Sequence, residues 1–316
     1  MNNYRHFSVN FHMQNEFQVV FYNLDNFFDP FEAEHTLDLD FTPKGKKKWG
    51  LYRYAQKVRK IAQTFAHLFK QSPVALIGLA EIETSQVCQD LLDHPSLATF
   101  DLGFSFISGK DSRGINTALI YNKSYFKPTK QELLSVEIID RDQTIHSRGI
   151  LHVSGLFCDR PSHIFINHWP SNRRRLNRSL RTRASQVLHN AIYAINLEKE
   201  TVLILGDFNQ NPDSEHLEFL YNSGFTNPLT DQWKEGLGSL KHLKKWYLYD
   251  QIFLSPLFSN YPWTIQSAHI LKEPFLLDPS GRNKGQPYRT FIGKNYIGGQ
   301  SDHFPVAVSI KKTQAR

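Results

Sequence analysis

The stretch Val202-Leu203-Ile204-Leu205-Gly206-Asp207-Phe208-Asn209 sets a carboxylate and a carboxamide two residues apart, directly after a run of apolar side chains. An ionised aspartate accepts a proton or holds a cation, and an asparagine both donates and accepts hydrogen bonds. Together they could activate and hold a water molecule. Taken alone, the pair reads equally well as a turn at a strand end, where Asp and Asn bond to nearby backbone. The rest of the chain repeats the arrangement. Asn23, Glu81, His168, Asp207 with Asn209, Asp250, and Asp302 with His303 lie in or beside apolar runs in six separate segments. Asp250 carries an independent argument, because a carboxylate inside an apolar strand must be paired or neutralised. His303 is a partner for it.

The elements that must position these residues are read from periodicity. Continuous apolar runs at 18–24, 74–79, 163–168 and 201–206 predict buried strands, each delivering polar residues at its carboxyl end. In an α/β sheet that edge is where ligands bind. Further strands are expected at 104–108, 115–121, 247–255, around the charge of Asp250, and 304–310, and a hairpin joins 133–140 to 149–158. Between the first two buried runs, Leu51, Tyr54, Val58, Ile61, Phe65 and Leu68 recur at helical spacing, with Arg53, Lys57, Arg59 and Lys60 largely away from that stripe. A second helix follows six arginines, Arg173, Arg174, Arg175, Arg178, Arg181 and Arg183. Asp213 is the expected N-cap of a later helix and Gly224 its stop.

The chain has 316 residues, 40% of them hydrophobic, which suffices for a large core. No linker, repeat or low-complexity tract divides it, so residues 1–316 are expected to form a single domain with a core of about 17–312, acting as a monomer. Cys88 and Cys158 are too few for a disulfide framework and lack metal-ligand spacing, which predicts free thiols. Residues 1–18 have no apolar signal region and no run is long enough to cross a bilayer, so a cytoplasmic location is expected. Formal net charge is +7 and the pI about 9.2. A polyanionic partner follows: nucleic acid, a phosphorylated small molecule or an anionic surface.

The motifs in their order, from Tyr22-Asn23-Leu24-Asp25-Asn26 through Gly206-Asp207-Phe208-Asn209 to Ser301-Asp302-His303, resemble the endonuclease/exonuclease/phosphatase superfamily, and within it a bacterial branch. That resemblance implies an α/β fold, a four-layer α/β sandwich of two packed, mostly antiparallel sheets flanked by helices. It also implies hydrolysis of a phosphoester with Mg2+ or Mn2+. By motif, Glu81 would be the principal metal ligand, with Asn23 in the same shell and Asp302 completing it. Asp207 would orient and deprotonate the attacking water, and Asn209 would hold that water or a phosphate oxygen. Asp250 would keep His303 charged toward a phosphate oxygen, His168 would protonate the leaving group, and Arg148 would bind phosphate.

The chain departs from the deoxyribonuclease branch in one respect. No acid occupies Arg113-Gly114-Ile115-Asn116, where that branch supports the leaving-group histidine, so His168 must act differently or borrow Glu83 or another carboxylate. The residues after Asp207 and Asp250 argue against the inositol-phosphatase branch. Arg173 and Arg174, directly after His168, are expected to touch a phosphate backbone. Two basic-aromatic stretches, Lys44 to Trp49 and Lys241 to Trp246, read either as solvated loops or as strand contacts with a tryptophan stacked on a base. The leading expectation is a nuclease acting on DNA or RNA. The alternatives are a phosphoesterase for a small metabolite or phospholipid head group, and a catalytically silent nucleic-acid-binding module.

Overall fold

A computed structural model describes residues 15–31, 39–171, 175–259 and 263–312. Its architecture follows from strands buried on both faces. In the Glu16–Phe27 strand, Val19 and Phe21 join one core cluster while Val20, Tyr22 and Leu24 join another. In the Thr201–Asp207 strand, Leu203 and Leu205 join the cluster of Val19, and Val202 and Ile204 belong to a third. Alternation between two buried faces is why both sequences read as unbroken apolar runs.

The first sheet has six strands in the order Trp263–Ile270, Val306–Lys312, Glu16–Phe27, Val74–Ile82, Asn116–Asn122, Leu102–Phe106. The second has five, in the order Asp250–Leu254, Thr201–Asp207, Arg160–His168, Ile150–Phe157, Phe126–Leu134. The shared cluster lies between the sheets. The Leu51–Gln71 helix packs Val58, Ile61, Phe65 and Leu68 on the outer face of the first sheet. The Arg175–Tyr193 helix packs Ala184, Leu188 and Ile192 on the outer face of the second. Helix, sheet, sheet, helix is the four-layer sandwich expected.

Each sheet contains one parallel pair, joined by one of these helices. Parallel neighbours end on the same edge, so Asn23 lies opposite Ala80, one residue before Glu81, and Asp207 lies opposite His168. The antiparallel strand that begins at Asp250 pairs Asp250 with Asp207. Five polar strand ends thereby meet at one rim of the sandwich.

Several local expectations are corrected. The strand beginning at Ile150 pairs with Phe126–Leu134, whereas Glu137–Asp140 turns back on Gln143–His146 as a separate ribbon. Tyr247–Ser255 is two elements, with Lys245–Tyr247 in a hairpin and Asp250 opening the next strand rather than lying inside it. The N-cap is Ser214, whose side chain accepts from the His216 amide, not Asp213. Gly224 does end the 218–222 helix, at φ +81°. Trp49 is fully buried with its indole N–H on the Phe28 carbonyl, so it is closed to a base. Lys57 faces the core, not solvent. Both cysteines are free thiols, and among the described residues no helix is long and apolar enough to cross a membrane.

Candidate active site

Two irregularities shape the rim. The pairing of Glu16–Phe27 with Val74–Ile82 shifts register between Asn23 and Phe27, and the pairing of Val74–Ile82 with Asn116–Asn122 shifts at Glu81. Asp25, Asn26 and Glu81 adopt positive φ of 48°, 57° and 65°. A bulge re-aims the side chain it carries, and a left-handed non-glycine residue costs about 1–3 kcal/mol that the surrounding structure must supply. Here the bulge turns Glu81 into the cleft, with its Oε2 accepting from the Asn26 amide at 2.7 Å. Gly206 serves the facing strand, because a Cβ there would lie 2.5 Å from the Asn167 Cβ.

Asn23 ties the two sheets together. Its Nδ2 donates to Asp207 Oδ2 at 3.0 Å and reaches Glu81 Oε1 at 3.4 Å, and its Oδ1 accepts from the Asp25 amide at 3.0 Å. Asp207 is buried, with Oδ1 accepting from the Asn209 amide at 2.9 Å. Burial first, and the neighbouring Asp250 charge next, push its carboxyl up to about 7. Asn209, at φ +50°, is anchored by donating from Nδ2 to the Trp169 carbonyl at 2.8 Å.

Asp250 Oδ2 accepts from His303 Nδ1 at 2.6 Å and from Ser239 Oγ at 2.5 Å, so the partner expected from sequence is in place. Burial alone would lower the His303 pKa, but Asp250, through its charge and hydrogen bond, with Asp302 and Asp207, carries it well above the ordinary histidine value. The ring is therefore an imidazolium whose Nε2 lies 4.0 Å from Asp207 and 3.7 Å from Asp302. Asp207, Asp250 and His303 bring ligand atoms within 4.8 Å of one another. Those three could hold a cation, His303 giving up its Nε2 proton to bind one.

The oxygen-rich side of the cleft offers a second place for a cation. Asp25, Glu81 and Asp302 line it, and the Asp302 pKa is raised by burial first and by the Asp25 charge next. Crowded carboxylates of this kind suit a hard divalent cation. Beneath them Lys57 is fully buried, donating from Nζ to the Asp25 carbonyl at 2.6 Å. Burial lowers its pKa to about 8 against the opposing pull of Asp25, Glu81 and Asp302.

His168 Nε2 lies 3.6 Å from Glu81 and 3.8 Å from Asp207, while its Nδ1 has no hydrogen-bond partner. Glu83 Oε2 accepts from the Asp29 amide at 2.8 Å, and the acids that His168 Nε2 faces are Glu81 and Asp207. Burial, and then Arg148, Arg113 and His303, hold His168 well below the ordinary histidine pKa, so the ring is neutral. Arg148 lines the cleft with Nε 3.8 Å from Asp111, and Arg113 reaches it by donating to Asn26 Oδ1. Arg289 completes the cationic rim with Nη1 3.9 Å from Asp302.

The structure thus brings together Asn23, Glu81, Arg148, His168, Asp207, Asn209, Asp250, Asp302 and His303. Arg173 and Arg174 lie outside the described residues. Of the remaining arginines in that run, Arg181 is buried and donates to the carbonyls of Pro170 and Ser171, a structural role. Sequence reasoning missed Lys57, Arg113 and Arg289 as parts of the site. Lys57 carried a signal, since it lies on the buried face three residues after Tyr54 and four before Ile61. The two arginines come from loops without periodicity.

The sequence pattern of the Endonuclease/Exonuclease/phosphatase family matches residues 18–312. The chain belongs to that family. Endonuclease/Exonuclease/phosphatase proteins are metal-dependent phosphoesterases, and this chain is an enzyme of that kind. No curated protein sequence matches it. Among solved structures it is similar to Danio rerio TDP2 complexed with a single strand DNA product, at 16% identity and TM-score 0.59, over 94% of this chain and 99% of that one. It is also similar to the human Nocturnin catalytic domain with bound sulfate, at 14% identity and TM-score 0.58, over 95% of this chain and 96% of that one. Mannosyl-6-phosphatase of Bacteroides thetaiotaomicron is similar at 14% identity and TM-score 0.58, over 93% of this chain and 99% of that one. These likenesses speak to the shared fold.

Proposed function

We propose that this phosphoesterase is a nuclease that hydrolyses phosphodiester bonds of DNA or RNA, with residues of about 17–312 acting as one catalytic domain. The observation that carries the reading is a single cleft of about 660 Å³ in which an acidic floor of Asp25, Glu81, Asp207 and Asp302 meets a cationic rim of Arg113, Arg148 and Arg289. Carboxylates activate water, and the rim holds an anionic backbone on either side of the bond to be broken. The net charge of +7 and the single strand DNA product bound by the similar TDP2 accord with a polyanionic substrate.

Glu81, Asn23 and Asp302 are the residues that would hold Mg2+ or Mn2+, which when bound neutralises phosphate charge and makes nearby water more acidic. Asp207 takes the proton of the attacking water, its carboxyl fixed by Asn23 and the Asn209 amide. Asn209 holds the water or a phosphate oxygen. His303, locked by Asp250 through Nδ1, directs its Nε2–H to an equatorial phosphate oxygen. His168, neutral and with its Nδ1 unpartnered, donates a hydrogen bond from Nε2 to the reacting phosphate, and the leaving oxygen takes its proton from water. Arg148 and Arg113 bind the phosphate.

A small phosphoester is the second reading, because a cleft of about 660 Å³ also admits a sugar phosphate and the similar mannosyl-6-phosphatase is a phosphatase. A substrate panel with Mn2+ separates them: a single-stranded oligonucleotide, a duplex, a nitrophenyl phosphodiester and a hexose phosphate. Cleavage of the nucleic acids at higher kcat/KM than the small compounds is expected. Turnover of the hexose phosphate alone would overturn the nuclease assignment.

A further inference from the structure

Beside the cleft, the 240–247 hairpin and the 282–293 segment enclose a second groove of about 580 Å³. Lys241, Lys244, Arg282 and Arg289 line it, and no carboxylate does. Some lysines elsewhere on the surface are paired with acids, as Lys123 is with Asp101 and Lys130 with Glu132, whereas no acid faces these four cations inside the groove. Arg289 joins the two spaces, facing Asp302 on one side and donating from Nη2 to the Lys241 carbonyl at 3.1 Å on the other. The groove is therefore an outward continuation of the catalytic cleft.

The hairpin tip gives a second, independent indication. Leu243 and Lys244 form its two-residue turn at φ 46° and 68°. Both positions of such a turn favour Asn and Gly. An apolar and a cationic side chain are instead held there in left-handed backbone. Leu243 is 84% exposed and Ile292, across the groove, 43% exposed. Trp246 is not the base platform that the basic-aromatic stretch suggested. It stacks on Phe304, and the ammonium groups of Lys241 and Lys272 lie 5.2 and 5.1 Å from its ring.

We propose that this groove is the track for unpaired nucleotides flanking the scissile phosphate: a single-stranded nucleic acid lays its phosphates on Lys241, Lys244 and Arg282 and its bases against Leu243 and Ile292. The inference rests on the nuclease reading and narrows its substrate class. Apolar groups set among cations contact base faces, which a duplex keeps stacked inside. Arg289 at the junction hands the strand from groove to cleft.

The test measures binding without catalysis. Fluorescein-labelled oligothymidylate and oligouridylate of about 15 nucleotides are titrated with the full chain in excess EDTA, with anisotropy read across a salt series. The double variant Lys244→Glu/Arg282→Glu is expected to bind about tenfold or more weakly, with the slope of log affinity on log salt reduced by about 1.4, the share of two single-strand phosphates. Leu243→Ser should bind about three- to fivefold more weakly with the slope unchanged. Hydrolysis of a nitrophenyl phosphodiester with Mn2+ should stay at the wild-type rate in all variants, showing that they are folded. Wild-type affinity in the variants, no strand binding by the wild type, or tighter binding of a duplex of equal length would overturn the proposal. Should the wild type cleave strands while the variants bind normally, the groove assignment fails and the nuclease reading survives. Groove-dependent binding with no strand cleavage is the reverse case.

Discussion

Asp207 sits at the centre of the site, bonding to Asn23 and the Asn209 amide and facing His168 and His303. A base poised near neutrality is what general-base catalysis at physiological pH requires. Asp207→Asn removes the proton acceptor while keeping shape, and kcat should fall by about 10² to 10⁴. Its pH signature has a definite sign. With the folded pKa raised to about 7, the neutral form is the stable one in the fold, so Asp207 stabilises below its unfolded value and loses that contribution as pH rises through 7. Thermal unfolding in chelator should show Asp207→Asn melting above the wild type at about pH 8 and the gap narrowing toward about pH 5. A gap independent of pH would refute the assignment. His168 offers a sharper distinction. As a neutral hydrogen-bond donor it is partly replaced by glutamine, so His168→Gln should cleave an oligonucleotide at least about tenfold faster than His168→Ala. Equal losses would instead indicate proton transfer to the leaving group.

At the scale of elements, the site exists because two parallel strand pairs end at one rim and two bulges turn their ends inward. Gly206 is the tightest point of that arrangement, with Asn167 so near that any Cβ must displace one strand. Gly206→Ala should shift Asp207 and lower kcat by about 10²-fold while KM for a small diester changes little. Lys57 holds the floor from the helix side. Lys57→Met leaves the Asp25 carbonyl unpaired and removes the cation nearest Asp25, at a cost of about 1–3 kcal/mol in urea unfolding with chelator. Mn2+ should recover part of that loss by replacing the missing charge. An undiminished cost with metal would contradict a cation on Glu81, Asn23 and Asp302. Asn23, Glu81, His168 and Asp207 were legible in the sequence because each ends a long apolar run, whereas Asp250 and His303 precede one. The partner of the 150–157 strand was not, because Phe126–Leu134 is a polar edge strand with little apolar alternation. Lys57 was hidden for another reason: an amphipathic pattern treats every lysine as outward-facing, and only the folded chain shows its ammonium group on the Asp25 carbonyl and over the Phe27 and Trp49 rings.

At the scale of the molecule, the four-layer fold followed from motif order rather than from periodicity, which fits many α/β arrangements. Arg113 and Arg289 were illegible because the loops that carry them have no repeat, and only the folded chain shows that they face the acids. The distribution of charge is the global property that matters: a positively charged protein concentrates carboxylates in one cleft and surrounds them with arginine and lysine. Cleavage of nucleic acid should therefore fall steeply with salt, whereas hydrolysis of a small diester should not. The most direct test of the account is nicking of supercoiled plasmid by the purified protein with Mg2+ or Mn2+, set against excess chelator and Asp207→Asn. Nicking that disappears in both controls is the predicted result. An intact plasmid beside active hydrolysis of a nitrophenyl phosphodiester, or nicking undiminished in Asp207→Asn, would contradict it.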